Sequence, residues 1–485
     1  MDTQPAEGNT KPLIAARRKG LTVPRVITQV RVSLSVVLLV SGLAGQQYNS
    51  FQGSVPGAGS ATPVALTLED AIQRGLKYNL GLLENQRASE TARADRIQAL
   101  SALLPQVTGT FSETGEQLNL KTLGFNVPPQ LSAIIPTITP PFHYTTAEAD
   151  ISSRVLDWNA RRNLKSARAN EEAARLSVQA ARDLVVQAVA NAYLGVIADA
   201  SRVEAIKAQV DTDEALYKRA ADQHTAGVAA GIDVLRAQVQ LKTEQQILLA
   251  QENQFEKDKL ALGRIIGFPA DQVFQIADAA PFFPLTGITE EEALRTALAQ
   301  RPDYQSAKKQ VEAAQQSLAA ARAEWYPTAQ VNGYYGDTGP SLAESHGVFM
   351  FTGALNFNIF TGGRIRADIE KARTALRQRS DELANQEAQI GVDVRNSFLD
   401  LQSAADQVAV ARDNLALANQ TLDQARDRFA SGVTDNIEVV QAQGSVASAN
   451  DNLIAALYAH NIAKVELARA LGMAELGVKR FIEVK

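Results

Sequence analysis

The second half of this 485-residue chain repeats the first, element by element. An offset of 222 carries Leu66-Thr67-Leu68 onto Ile288-Thr289-Glu290, Leu76 onto Leu298 and Pro105 onto Pro327. After residue 166 an offset of 205 carries Tyr193-Leu194 onto Phe398-Leu399, Gly227-Val228 onto Gly432-Val433 and Gly267 onto Gly472. A period of about two hundred residues is far beyond the roughly 20–50 of a solenoid unit. The chain is therefore a tandem duplication of one large module, and whatever that module builds is built twice.

Within a module the hydrophobic period changes twice. Thr67, with Asp70 three residues on, reads as a helix cap, and Thr289 with Glu292 is its counterpart. Ile72, Leu76, Leu80 and Leu83 then give one apolar helical face, and the helix is expected to run to Leu104, where Pro105 stops it. Period two follows. Phe349, Phe351, Gly353, Leu355, Phe357 and Ile359 alternate with Met350, Thr352, Ala354, Asn356 and Asn358; in the first copy Ala147, Ala149, Ile151, Ser153 and Val155 alternate with more polar residues. Such alternation predicts strands that are wet on one face and apolar on the other. One hairpin per module follows, 106–114 with 144–156 and 328–336 with 347–360. The first has a connection seventeen residues longer, rich in proline and suited to an exposed surface.

Heptad spacing takes over afterwards. Val189, Val196, Val203, Val210 and Tyr217 have mates Val394, Leu401, Val408, Leu415 and Leu422 in the same register. A sustained heptad is the mark of helices packed as a coiled coil. From Arg161 to Gln223 a single helix would be about 95 Å long at ~1.5 Å per residue. The pattern breaks at Ala226-Gly227-Val228 and Ser431-Gly432-Val433 and resumes at once in return helices: Val234, Leu241, Leu248, Phe255 and Leu262, echoed by Val439, Val446, Leu453, His460 and Leu467. Each module thus closes as a long helical hairpin with a glycine turn at its tip.

The ends and the composition narrow the setting. Arg17, Arg18, Lys19, Arg25 and Arg31 precede the apolar run Val32–Leu43, the layout of an export signal over residues 1–44. Twelve apolar residues are too few to cross a bilayer. Residues 45–65 read as a flexible leader, 66–268 as the first repeat, 269–287 as a linker, 288–473 as the second repeat and 474–485 as a tail. Without residues 1–44 there remain 42 basic and 51 acidic residues, a balance of −9 that points away from nucleic acid. Cysteine is absent, so thiolate metal sites and N-terminal lipidation on cysteine are excluded. No later stretch reads as a transmembrane helix, so any crossing of a membrane falls to the strands.

Four strands per chain cannot close a membrane barrel, whose smallest forms have about eight, and an open sheet with an apolar face would aggregate at its edges. Self-association into a shared cylinder resolves both problems. The order and double occurrence of these elements, with Phe360-Thr361-Gly362-Gly363-Arg364 after the last strand and the two glycine tips, resembles the TolC-type outer-membrane efflux family. The first copy departs from it, with Asp157-Trp158-Asn159-Ala160 in place of Thr-Gly-Gly-Arg.

That resemblance implies an α+β membrane protein: a homotrimer whose long coiled-coil hairpins form an α-barrel and whose strands share one twelve-stranded β-barrel. It implies an outer-membrane duct reaching into the periplasm, docked on a periplasmic adaptor and an inner-membrane pump, exporting small molecules or proteins. It places Glu438 at the pore constriction, with Asp233 as its repeat mate, Gln441 where a second acidic ring would stand, and Gly227, Val228, Gly432 and Val433 at the adaptor-docking tips. Read without the family, Glu438 is a solvated first-turn residue favoured by the helix dipole. The competing function is a soluble periplasmic coiled-coil scaffold. An enzyme finds no support: His143, His224, His346 and His460 are scattered, no phosphate loop is present, and no cofactor or metal is expected.

Overall fold

A computed structural model describes residues 49–482 apart from 61, 127, 129, 131–133, 280, 281, 286, 432 and 435. The export signal and Gly432 therefore lie outside the described residues.

The duplication holds to the residue. Helices α1 (Leu68–Tyr78) and α2 (Leu80–Ser101) match α5 (Glu290–Gln300) and α6 (Pro302–Ala323), each pair 11 and 22 residues long. After the first pair come β2 (Gln106–Glu116), β3 (Phe142–Leu156) and the hairpin α3 (Trp158–Thr225) with α4 (Gly231–Ile265). The second copy has β5 (Thr328–Gly339), β6 (His346–Asn356), α7 (Arg364–Ala430) and α8 (Asn436–Ala470). The minor elements are β1 (Val64–Leu66), β4 (Phe274–Ile276) and α9 (Ala474–Phe481).

The expected first helix is in fact two. Asn79 is extended (ψ 130°), accepts from Gly81 N, donates through its side chain to Phe51 O at 2.7 Å, and is fully buried. Its mate Arg301 (ψ 118°) is pushed out of the helical region by the ring of Pro302, so different chemistry makes the same break. The second member stops at Ser101 and Ala323 rather than at Leu104, four residues before Pro105 and Pro327. Those are the carbonyls a proline ring displaces and deprives of their helical donor. Ser101 O accepts instead from Leu104 N at 3.1 Å and Gln106 Nε2 at 2.8 Å, and Ala323 O from Tyr326 N at 3.0 Å. The caps on Thr67 and Thr289 are as expected, each hydroxyl accepting from the amide three residues on.

Three stretches read as connections carry structure. The leader is held to the body: Phe51 packs on the core, Val55 N donates to Tyr78 O, and β1 runs parallel to β4 of the linker. Asp278, also in the linker, accepts from Leu68 N at 2.7 Å and from the buried Tyr193 hydroxyl at 2.8 Å, fastening α1 to α3. The C-terminal tail contains α9, whose Val478 and Phe481 are in the core. Contrary to the expectation of no membrane-length apolar helix, an 18-residue stretch of α3 reaches a mean hydropathy of 1.4. Half of it is buried, and Val185, Val189, Tyr193 and Val196 lie in the main core, so packing accounts for its apolarity.

The heptad positions point inward. Val189, Val196, Val394, Val408, Leu422, Leu241, Leu262, Val439 and Leu467 are buried, and the remaining heptad residues named above are buried or half-buried. Alanine fills much of the interface between the long helices, with Ala411, Ala418, Ala425, Ala442, Ala449 and Ala456 all buried. Small side chains there let the rods approach closely.

Candidate functional site

Two places in the fold, the sheet and the helical tips, bring the singled-out residues together.

The strands form one antiparallel sheet in the order β2-β3-β5-β6, with its outer edges on β2 and β6. Directly paired residues share a face, so the register sorts side chains into rows. On one face lie Val107–Ile151–Gly333–Phe351 and Gly109–Ala149–Tyr335–Phe349; on the other lie Gln106–Ser152–Asn332–Thr352 and Thr108–Asp150–Tyr334–Met350. The apolar face is bare: Phe349 and Phe351 are 71% and 67% exposed, with Phe111, Val155 and Leu355 exposed beside them. The ring of Phe351 occupies the space a side chain on Gly333 would need, 2.5 Å from an added Cβ, so the glycine admits the aromatic. Strand β6 ends at Asn356, and Phe357, Ile359 and Phe360 continue as an exposed apolar turn towards α7. Trp158, Trp325 and Tyr326 sit exposed at the same helical end of the sheet, where interfacial aromatics belong. Strands of 11–15 residues exceed the roughly 9–11 needed to cross hydrocarbon.

At the first tip α3 ends on Gly227 in the left-handed region (φ 76°), with Gly227 N bonded to His224 O and Val228 N to Gln223 O at 2.9 Å each. The six-to-one bond from Val228 is the Schellman closure, for which glycine carries no Cβ penalty. His224 Nδ1 lies 3.0 Å from Ala229 O and braces the turn. The second tip repeats the closure, Val433 N to Arg428 O at 3.0 Å. Val228 and Val433 stand at the two ends, 75% and 69% exposed.

The two acidic mates differ. Asp233 lies one turn from Arg236, 3.5 Å away on its own helix. Glu438 reaches back across the tip to Arg428, 3.4 Å from Nε, with both side chains partly exposed. Sequence reasoning missed Arg428; its mate is Gln223, so the cross-tip pair exists in one copy only. Gln441 is exposed. Farther up the same hairpins, Asp213 of α3 and Gln443 of α8 are buried and bonded at 3.1 Å, a contact spanning 230 residues with no local signal.

His460 is buried with its ring 4.6 Å from Phe282 of the linker, and burial, followed by the charge of Lys464, lowers its pKa to about 4. Among the described residues no group of three His, Cys, Asp or Glu side chains could hold a metal. Two grooves lie between α2, α3, α6 and α7 and are lined by residues such as Asn85, Ser177, Gln310 and Arg379.

Comparison with known proteins agrees with this geometry. Residues 71–268 and 293–473 match the family described as "Outer membrane efflux protein", so both repeats are included. The toluene efflux pump outer membrane protein TtgC of Pseudomonas putida is 27% identical over 323 residues, 62% of this chain and 63% of TtgC. That alignment spans less than two thirds of TtgC. The multidrug resistance outer membrane protein MdtP of Escherichia coli is 23% identical over 414 residues, 84% of each. In three dimensions the outer membrane protein VceC of Vibrio cholerae superposes with a TM-score of 0.71 at 19% identity, covering 84% of this chain and 96% of VceC. The CmeC outer membrane channel of Campylobacter jejuni gives 0.73 at 18%, covering 86% and 88%. The fold is that of these channels, with long helical hairpins below a short antiparallel sheet. With the family match extending over both repeats, the chain belongs to the outer membrane efflux protein family.

Proposed function

We propose that the chain is the outer-membrane duct of a multicomponent exporter, a passive conduit with no catalytic role. The observation that carries this reading is the four-stranded sheet, open at β2 and β6, with one bare apolar face and one polar face. Joined edge to edge, three copies supply twelve strands, enough to close around a water-filled lumen and leave no edge. The apolar face then meets lipid, and Thr108, Asp150 and Asn332 meet water. The same threefold array sets the helical hairpins side by side across the periplasm. The tips, Gly227-Val228 and Gly432-Val433, dock on a periplasmic adaptor that links the duct to an inner-membrane pump. Glu438 and, more peripherally, Asp233 narrow the lower mouth. We assign small organic molecules as the cargo class, in keeping with the toluene and multidrug efflux named for the relatives.

A soluble periplasmic scaffold would have to cover Phe349, Phe351 and Leu355, which this sheet leaves bare. Cell fractionation separates the two readings. A duct stays with the outer membrane after osmotic shock and comes away only in detergent as a trimer that conducts ions in planar bilayers. Release by shock as a non-conducting species would overturn the duct.

A further inference from the structure

Asp213 sits on α3 about eighteen ångströms above the first tip, counting twelve residues at ~1.5 Å each. It is 2% exposed. Its Oδ1 accepts from Gln209 Nε2 of its own helix at 3.0 Å and from Gln443 Nε2 of α8 at 3.1 Å. Gln443, itself fully buried, belongs to the other repeat. This bond therefore ties hairpin one to hairpin two. One turn nearer the tip, Leu216 packs on Leu422, Ala425, Val439 and Ala442, closing the same seam with apolar contacts.

The polar junction is incomplete in a specific way. Among the described residues Asp213 Oδ2 and Gln443 Oε1 are both buried without a hydrogen-bond partner. Each is an acceptor only, and leaving a buried acceptor unpaired is costly. A carboxylic acid and a primary amide are complementary two-pronged groups. With one prong already joined, a proton on Oδ2 turned towards Oε1 would supply the donor that Oε1 lacks, so a single proton would satisfy both atoms. The repeat shows that the arrangement is not generic helix packing: the mate of Asp213 is Ala418 and the mate of Gln443 is Gln238, which is exposed.

We propose that Asp213 and Gln443 form a proton-operated latch between the two helical hairpins, joined when the carboxyl is protonated and loosened when it ionises. The surroundings set its working range. Burial raises the Asp213 pKa to about 6, Glu244 of α4 adds a like charge, and the Gln209, Gln240 and Gln443 amides pull the other way. Glu244 is itself raised by burial and accepts from Gln240 at 3.2 Å. On α8 the facing group is the neutral Gln443, and on α7 the seam residues are Leu422 and Ala425. Asp423 and Arg426 of α7 are exposed, 3.8 Å apart. Glu214 of α3 faces solvent and pairs with Lys218 at 2.8 Å. As pH rises through about 6 the ionised Asp213 loses its second bond to Gln443, so the seam between the hairpins weakens near the tips; the repulsion from Glu244 acts within hairpin one and helps set where this happens. That this seam bounds a lumen rests on the duct reading; the latch itself does not.

The chain has no cysteine, so Ala230→Cys and Ser431→Cys place one spin label at each tip of the full detergent-solubilised protein. Labelled chains are diluted with unlabelled ones so that a single pair is read. Between pH 5 and 8 the tip-to-tip distance is expected to shift to longer values with a midpoint near 6. In Asp213→Asn, whose amide can both donate to and accept from Gln443, the short distance should persist at both pH values. Gln443→Leu should abolish the step and give the long distance throughout. A step that survives in Asp213→Asn, or no change in the parent protein, overturns the latch. Bilayer current is recorded on the same samples. A pH-dependent distance without current keeps the latch and removes the duct, whereas current with an invariant distance does the reverse.

Discussion

Glu438 at the start of α8 faces Arg428 near the end of α7 across the second tip, 3.4 Å apart. Both are more than a third exposed, so the pair adds little to stability, on the order of 1 kcal/mol or less. With Glu438 at the duct mouth as proposed, the pair matters for the charge there, Arg428 offsetting a carboxylate that would otherwise attract cations. Arg428→Ala should therefore increase cation preference and Glu438→Ala should reduce it. Reversal potentials in a salt gradient across a planar bilayer check both; equal potentials in the two variants would remove the pair from the conducting path.

The bare sheet face makes a second prediction. Phe351→Arg places a charge where lipid is expected and should cost about 2–4 kcal/mol near the bilayer midplane. Thr352→Arg, one residue along and on the opposite face, should be tolerated and change conductance instead. Folded yield in detergent distinguishes them, and equal losses would argue against a lipid-facing side.

Gly227 and Val228 separate backbone strain from contact. A Cβ on Gly227 would meet nothing within 4 Å, yet φ is 76°, so Gly227→Ala should lower stability by about 1–2 kcal/mol through conformation alone. Val228→Ala should leave the melting temperature unchanged and weaken binding to the adaptor. Thermal unfolding paired with co-purification of cross-linked adaptor tests both halves.

His460 yields a pH dependence of opposite sense to that of Asp213. Its folded pKa of about 4 lies below the ordinary 6.5 because burial and Lys464 disfavour the charged ring. The unfolded chain binds the extra proton first, so this contribution is present above about pH 6.5 and is lost as pH falls towards 4. The displacement is worth about 3 kcal/mol. His460→Phe should flatten the stability profile between pH 4 and 6.5, measured by denaturant titration; an unchanged slope would refute it.

How much of this could be read from the chain depended on whether it left a local trace. Strands, heptads and glycine tips did, because each imposes a period or a conformational need, and the duplication checked each one twice. The break in the first helix was half visible. Pro302 marks it in copy two, and subtracting 222 points to Leu80, but Asn79 alone carries no breaking signal. The β1–β4 pair escaped because three-residue strands show no alternation. At the tips, the glycine turns and the exposed valines left their trace in the repeat, and Glu438 was singled out only through the family resemblance, while Arg428 and Gln443 left no trace. Their roles come from tertiary neighbours, Gln443 meeting a residue 230 positions away.

The two return helices are 35 residues each, and their outgoing partners differ by one residue in 68. Rods of matched length that start from one level finish level, so in the proposed trimer whatever abuts the lower rim would meet a flat annulus. Excising a heptad from α3 and α4 alone would raise that half by about 10 Å and leave a gapped crown. Trimming all four helices together would give a shorter stem whose rim still seals.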